Sequence, residues 1–268
     1  MLKWIKKMKN NKDKKIFRFM SFYSFVDLIQ TQSLTLVRPK LWEDPYEGFI
    51  FRKLNSEQGK EEVAANLKSI NTPERALFMN LGLRFENIFY AQSWTLCPES
   101  DAMWRIYNFD RKAIRVEVSE SKMKQIEGLK LLYVDYKNEI SLKETIKRLK
   151  IAKNKTDFIE AFKHKRSSFS HEQEVRIVYQ DNEAINETMS DEEAIQMEKI
   201  LASLGSNEKL TKKKFSDRIK VSFSNISDFI ESVMLHPQSE EWFNDTLSEY
   251  CKINNLNYLG KSSLYKPL

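Results

Sequence analysis

Residues 169–177 read Phe-Ser-His-Glu-Gln-Glu-Val-Arg-Ile and lead into a β-branched segment that predicts a strand from Glu172 to Tyr179. Because side chains alternate between the two faces of a strand, Glu172, Glu174 and Arg176 are predicted to share one face. Such a group is either a solvated edge with an ordinary ion pair or a catalytic Glu-x-Glu. The strand by itself favours the solvated edge, since charged residues are usually exposed.

The rest of the chain indicates one large domain. Its 268 residues are 41% hydrophobic, enough for a sizeable core. Glycine and proline number only six each, and neither a low-complexity linker nor an internal repeat is evident. We therefore predict a single domain over residues 16–268, preceded by a basic leader at residues 1–15.

The leader carries the whole charge imbalance. Residues 1–15 contain seven lysines and one aspartate, whereas the remainder has 37 basic and 37 acidic residues. The leader is a flexible arm, an amphipathic surface helix around Trp4 and Ile5, or plain solvation. A weak nucleic-acid contact through these lysines stays open, as does one through the basic face of residues 143–165.

Several protein classes are disfavoured by the sequence. No apolar run reaches the roughly 18 residues of a membrane span, and the N-terminus lacks the pattern of a secretory signal. Cys97 and Cys251, with three histidines, fit no zinc spacing, so we expect no metal. We expect a cytoplasmic protein with reduced thiols.

The predicted elements are short strands and helices without regular βαβ alternation, which favours an α+β fold with a mixed, mainly antiparallel sheet. The predicted strands are 15–20, 34–37, 87–95, 113–118, 131–136, 172–179, 219–223, 230–236 and 256–259. The predicted helices are 21–30, 56–83 in two pieces, 100–108, 139–166, 190–204 and 239–252.

Two further strand motifs carry candidate binding groups. Arg18, between Phe17 and Phe19, offers a planar fork suited to phosphate, or a structural ion pair. Ser93 and Thr95 share a strand face, where hydroxyls can fix partner side chains or bond a ribose or amide, unless they are turn formers.

A loop and a helix supply the remaining candidates. Asp44 and Glu47 lie in a proline-punctuated loop, where they cap a helix or pair with Arg18. Trp104 and Tyr107 are three residues apart on a predicted helix and so lie on one side. They either pack in the core or stack on a nicotinamide or adenine ring.

Arginine on one strand, Ser-x-Thr on a later strand and Glu-x-Glu on a third resembles the arginine–serine–glutamate class of ADP-ribosyltransferases. The resemblance implies an ADP-ribosyltransferase-like core that binds NAD as substrate. It implies that Arg18 engages the phosphates or ribose and that Ser93 and Thr95 prop the nicotinamide pocket. Glu174 is then the catalyst and Glu172 its helper, with Arg176 among the binding residues.

A longer stretch, residues 16 to about 264, resembles the uncharacterised bacterial domain-of-unknown-function 2971 family. The matching motifs include Phe17-Arg18-Phe19, Asp44-Pro45-Tyr46-Glu47, Met103-Trp104 with Tyr107, and the Glu172–Arg176 segment. The departures are Glu43 for asparagine, Arg105 inside the Trp-Tyr motif, and Phe169 and His171 for Trp and Tyr.

Two classes of function follow as hypotheses. The first is an enzyme that cleaves the nicotinamide glycosidic bond of NAD and modifies a macromolecular acceptor, as a bacterial toxin or phage-defence effector. The second is a non-catalytic module on a degenerate transferase fold that binds nucleic acid or protein. Fold resemblance does not choose between them.

Overall fold

The computed structural model describes residues 13–42, 44, 88–107, 110–141, 159, 161–181 and 216–266, with isolated positions 192, 195, 198, 199 and 202. The elements in these ranges alternate between short strands and short helices. In chain order they are β1 (Lys15–Met20), α1 (Phe22–Thr31), β2 (Ser33–Val37), β3 (Phe89–Thr95), α2 (Asp101–Ile106), β4 (Ile114–Ser119), α3 (Glu120–Lys124), β5 (Leu129–Tyr133), β6 (Asp135–Lys137), β7 (His164–Arg166), β8 (Glu174–Gln180), β9 (Arg218–Ser222), α4 (Ile226–Phe229), β10 (Ser232–Leu235), α5 (Glu241–Ile253) and β11 (Tyr258–Lys261).

Nine strands form one mixed sheet. Along one path the order is β11-β10-β4-β1-β3-β2-β9, and β8 joins β3 to β5 off this path. The strand pairs are antiparallel except β10 with β11, while β6 and β7 form a separate parallel pair. The prediction of an α+β domain with a mixed, mostly antiparallel sheet is therefore confirmed.

The sheet divides at β3, and this division positions the site. One edge of β3 pairs with β8 along its whole length, from Phe89 to Thr95. The register pairs of its other edge are with two different strands, Thr95 with Phe17 of β1 and Ala91 with Val37 of β2. Because β1 and β3 share a single register pair, the two strands separate beyond it and leave a cleft.

The core lies on one face of this sheet. Ile16 and Met20 of β1, the even-numbered residues of β4 and the odd-numbered residues of β8 bury their side chains there, together with apolar residues of α1 and α5. A smaller cluster of Phe19, Met103, Trp104 and Ala113 fills part of the opposite face. The rest of the opposite face is not covered by this cluster, and its residues are available to a functional site.

Local sequence signals account for the helix ends. Ser21 accepts a hydrogen bond from the backbone N of Ser24 at 3.2 Å and so caps α1. Ser100 does the same for α2 through the backbone N of Met103 at 3.2 Å. The predicted starts of these two helices are thus confirmed within a residue.

Three element predictions are wrong. The strand predicted over 131–136 is two strands, because β5 ends at Tyr133 and β6 begins at Asp135 in a separate sheet. The helix predicted over 139–166 does not extend to its end, because residues 164–166 form β7 beside β6. The strand predicted from Glu172 begins at Glu174, because residues 167–172 form a 3-10 helix and Gln173 has a left-handed backbone with φ 42°. The residue spacing at 139–166 predicted a helix, but at residues 164–166 strand pairing with β6 outweighs this local preference.

Other predictions lie outside the described residues. They concern most of the leader, Glu47 with most of its loop, the helices at 56–83, and most of 142–158 and 190–204. None of the helices within the described ranges combines the length and apolar character that crossing a bilayer requires.

Candidate functional site

The cleft beside the β1–β3 junction gathers residues from four separate segments of the chain. Its walls come from β1, β3, the end of α2 and the start of β8, and it holds about 260 Å³ of free space, including the part open to solvent. The lining residues are Phe17, Arg18, Phe19, Ser93, Trp94, Thr95, Met103, Tyr107, Glu172 and Glu174. Six of the predicted site residues therefore meet in one place, namely Arg18, Ser93, Thr95, Tyr107, Glu172 and Glu174.

Glu174 is the most heavily hydrogen-bonded group of the cleft. Its Oε1 accepts from Ser93 Oγ at 2.5 Å and from Arg176 Nε at 2.7 Å. Its Oε2 accepts from Arg176 Nη2 at 3.0 Å and from Lys165 Nζ at 3.1 Å. Since an ionised carboxylate offers about four acceptor positions, Glu174 is saturated.

This network keeps the carboxylate charged. Burial alone would raise the pKa of Glu174, which is only 3% exposed. The charge and hydrogen bonds of Arg176, with those of Lys165 and Ser93, outweigh burial and lower that pKa to about 2. Glu174 is consequently an anion throughout the physiological pH range.

Glu172 has a more open environment. Its Oε2 accepts from Lys165 Nζ at 2.6 Å, and its side chain keeps 22% of its surface exposed. Within the described ranges, no donor reaches its other carboxylate oxygen. Protein donors therefore occupy all the acceptor positions of Glu174, whereas Glu172 retains acceptor positions toward the cleft.

Backbone contacts fix the turn that brings the two glutamates together. Thr95 Oγ1 donates to the carbonyl oxygen of Glu172 at 2.5 Å, and Leu96 N donates to that of Gln173 at 2.9 Å. The backbone N of Glu174 donates to the Tyr136 hydroxyl at 2.7 Å. Thr95 thus positions the Glu172 backbone, while Ser93 holds the Glu174 carboxylate.

Arg18 stands in the cleft without a counter-charge. Among the described residues, neither a carboxylate nor a hydrogen-bond acceptor lies within bonding distance of its guanidinium. Loss of solvent lowers the pKa of Arg18 to about 10, so the group stays charged at neutral pH. The alternative of a structural ion pair for Arg18 is thus not realised in this part of the molecule.

The two aromatic candidates separate. Trp104 is fully buried, with its ring 4.8 Å from that of Phe19 and its Nε1 donating to Glu99 Oε1 at 2.7 Å. Tyr107 follows α2, is 39% exposed, and lies nearly parallel to Phe19 with ring centroids 6.4 Å apart. Core packing therefore describes Trp104, while Tyr107 remains available as a stacking surface.

The other candidates lie outside the cleft. Arg176 is fully buried, donates to the Phe162 carbonyl oxygen at 2.9 Å, and has its guanidinium 4.6 Å from the ring centre of Trp42. Asp44 accepts from Arg166 Nη2 at 3.0 Å, rather than from Arg18 as one alternative proposed. Glu47 is outside the described residues.

Lys165 is the residue that the site prediction missed. It is 8% exposed, bridges both glutamates, and lies 4.8 Å from the ring centre of Phe169. The sequence signal was weak, since a lysine seven residues before Glu172 in a basic stretch is typical of a solvated helix face. Lys165 contacts both glutamates because β7 places it beside them.

Within the described ranges, no group of three or more His, Cys, Asp or Glu side chains is arranged to hold a metal ion. Comparisons of the chain with family models, with curated proteins and with solved structures return no match. The two family resemblances therefore stay predictions, and function has to be argued from the geometry of the cleft.

Proposed function

We propose that this cleft binds the nicotinamide–ribose end of NAD and cleaves its glycosidic bond, transferring ADP-ribose to a macromolecular acceptor or to water. The observation that supports the proposal is the convergence of Arg18, Ser93, Thr95, Glu172 and Glu174 on one cleft. These residues lie on distant parts of the chain, and all five have polar or charged side chains. An ADP-ribosyltransferase-like core belongs to the same proposal.

The chemistry requires an anion beside the sugar. When the bond between ribose C1′ and the nicotinamide nitrogen breaks, its electron pair leaves with neutral nicotinamide and the ribose ring acquires positive charge. A fixed carboxylate stabilises that charge without reorganising. The low pKa of Glu174 guarantees the anionic form.

The two glutamates then have different roles in binding and catalysis. Since Glu174 already accepts four hydrogen bonds, a ribose hydroxyl reaches it only by displacing a donor, and the neutral Ser93 hydroxyl is the easiest to displace. Glu172 keeps acceptor positions open and suits a ribose hydroxyl or the attacking group. Lys165, bonded to both, sets their separation.

The unpaired arginine and the exposed tyrosine suit the rest of the ligand. A guanidinium binds phosphate oxygens through two parallel hydrogen bonds. Arg18 gains a counter-ion in this way, which offsets part of its desolvation cost. The enclosed cavity of the cleft is about 10 Å³, far smaller than the roughly 300–1,000 Å³ of typical ligand pockets, so binding one end of a dinucleotide requires the cleft to widen.

The test compares carboxamide variants of the two glutamates. Purified protein, Glu172→Gln and Glu174→Gln are incubated with NAD labelled in the nicotinamide ring, and released nicotinamide is quantified. We expect each variant to lose roughly 100-fold or more of the rate, as removal of one electrostatic group does. Glu249→Gln, on the exposed surface of α5, is the control.

A negative result has a definite meaning. Nicotinamide release that is absent in the parent protein, or equal in parent and variants, removes the enzymatic proposal. Thermal stabilisation by NAD without release supports instead a binding module on a transferase-like scaffold, since a ligand that binds only the folded state stabilises it. The saturation of Glu174 is the feature that favours this second function.

A further inference from the structure

A second pocket lies away from the glutamates. It is lined by Arg105 at the end of α2, Arg111 in the turn before β4, His236 and Gln238 after β10, and Tyr265. Its cavity volume is about 330 Å³. None of these residues lines the cleft described above, and this volume falls within the usual range for ligand pockets.

Arg111 is the least compensated residue of this pocket. Its backbone has φ 58°, in the left-handed region that a non-glycine residue occupies at a cost. In the described part of the chain, its guanidinium has neither a carboxylate partner nor a hydrogen-bond acceptor. The neighbouring Lys112, in contrast, pairs with Asp110 at 3.6 Å.

The remaining lining groups are mainly donors. Arg105 is held by Asp101, whose oxygens accept from its Nε at 2.9 and 2.8 Å, and the Tyr265 hydroxyl also donates to Asp101. Asp101 is thus engaged with two lining residues, and the described lining itself contains no carboxylate.

His236 forms a rigid wall of the pocket. It is 2% exposed, its Nδ1 accepts from the backbone N of Gln238 at 3.1 Å, and its ring lies edge-on to Trp104 at 5.4 Å. Burial, together with the charge of Arg111, lowers the pKa of His236. The neutral ring therefore carries its proton on Nε2.

We propose that this pocket is a separate binding site for a phosphate group, either inorganic phosphate or the terminal phosphate of a small phosphomonoester. Donors converge on it from three segments of the chain, which suits a tetrahedral anion whose oxygens point in different directions. Arg111 is exposed, and a bound phosphate supplies the counter-charge that it lacks among the described residues. The site is independent of the proposal for NAD.

The test exploits the backbone of Arg111. Arg111→Gly removes the guanidinium and suits the left-handed conformation, so the fold is retained. Lys112→Gln removes the same charge from the next residue, which does not line the pocket, and serves as control. Binding of inorganic phosphate and of AMP to the three proteins is measured by titration calorimetry at low ionic strength, and melting temperatures are recorded.

We expect Arg111→Gly to weaken binding of the phosphate probe by roughly tenfold or more, as the loss of charge-assisted hydrogen bonds does. Lys112→Gln should change it by less than about twofold, as expected for a surface charge screened by salt. The melting temperature of Arg111→Gly should be equal to that of the parent or higher. Tighter binding of AMP assigns the site to a phosphomonoester, and tighter binding of the free ion assigns it to inorganic phosphate.

Three outcomes overturn the proposal. They are absence of saturable binding of both probes to the parent, equal affinity in the parent and Arg111→Gly, and equal weakening in Arg111→Gly and Lys112→Gln. A marked fall in the melting temperature of Arg111→Gly would also count against it, because it would assign a structural role to the guanidinium.

Discussion

Arg176 and Arg18 are two arginines of the same sheet in opposite circumstances. Arg176 is fully buried and donates to Glu174, to a backbone carbonyl and toward the ring of Trp42. Arg18 is half-buried beside the cleft and lacks a counter-charge among the described residues. A buried arginine whose N–H groups are all hydrogen-bonded to the protein stabilises the fold. An arginine whose N–H groups lack protein acceptors can bind a ligand instead.

The comparison extends to the residues around each arginine. Arg176 belongs to a network in which Glu174, Lys165 and Ser93 use one another's hydrogen-bonding capacity. Such a network resists removal of any member, since the others are left buried without partners. The cleft around Arg18 is lined in part by the aromatic residues Phe17, Phe19 and Tyr107, and no hydrogen bond or ion pair joins Arg18 to a described residue.

The largest expected effect is that of Arg176→Met. We expect the free energy of unfolding to fall by about 3–5 kcal/mol, because Glu174 would remain buried without its main counter-ion. Urea denaturation measures it. The double variant Arg176→Met with Glu174→Gln should recover part of the loss, and a single variant as stable as the parent would contradict the structural role.

The next effect is on acid stability. Because the folded pKa of Glu174 is about 2, below the usual value of 4.5, its contribution is present above pH 4.5 and is lost as the pH falls toward 2. The expected size is about 3 kcal/mol. Urea denaturation across this pH window should show that slope in the parent protein and a shallower one in Glu174→Gln.

The matched control for the acid prediction is Glu249→Gln, which removes an exposed carboxylate of α5. Its slope should equal that of the parent protein. Equal slopes in the parent protein and Glu174→Gln would show that the Arg176–Lys165 network does not hold the carboxylate in its charged form.

The smallest effect has the opposite sign. Arg18→Met should raise the free energy of unfolding by about 1–3 kcal/mol, because it removes a desolvated charge that lacks a counter-ion. Arg115→Met, at a buried arginine of β4 that donates to the Pro98 carbonyl oxygen at 2.7 Å, should lower it. Loss of stability in both variants would show that Arg18 is structural after all.

Much of the fold follows from local signals. The alternation in β1, the serine caps of α1 and α2, and the β-branched run of β8 are visible in the chain and place those elements to within two residues. Predictions failed where long-range pairing decides. Residues 164–166 read as helix, but they form a strand against 135–137.

The candidate site was predicted in part. The residue types at Arg18, Ser93, Thr95, Glu172 and Glu174 suggested one site, and the cleft contains all five. The role of each candidate residue could not be predicted from the sequence. A tryptophan such as Trp104 or an arginine such as Arg176 has the same local sequence pattern whether it contacts a ligand or packs in the core. Lys165 was missed for the same reason.

The sequence by itself determined the fold class and the residue types available for chemistry, because propensity, capping and alternation act over a few residues. Only the tertiary structure decided which charges are neutralised. Strands and loops far apart in the chain determine that Arg176 and Glu174 bond each other, whereas Arg18 and Arg111 have no hydrogen-bond partner among the described residues. Hydrogen-bond partners at long range are fixed by packing, and the local sequence does not encode them.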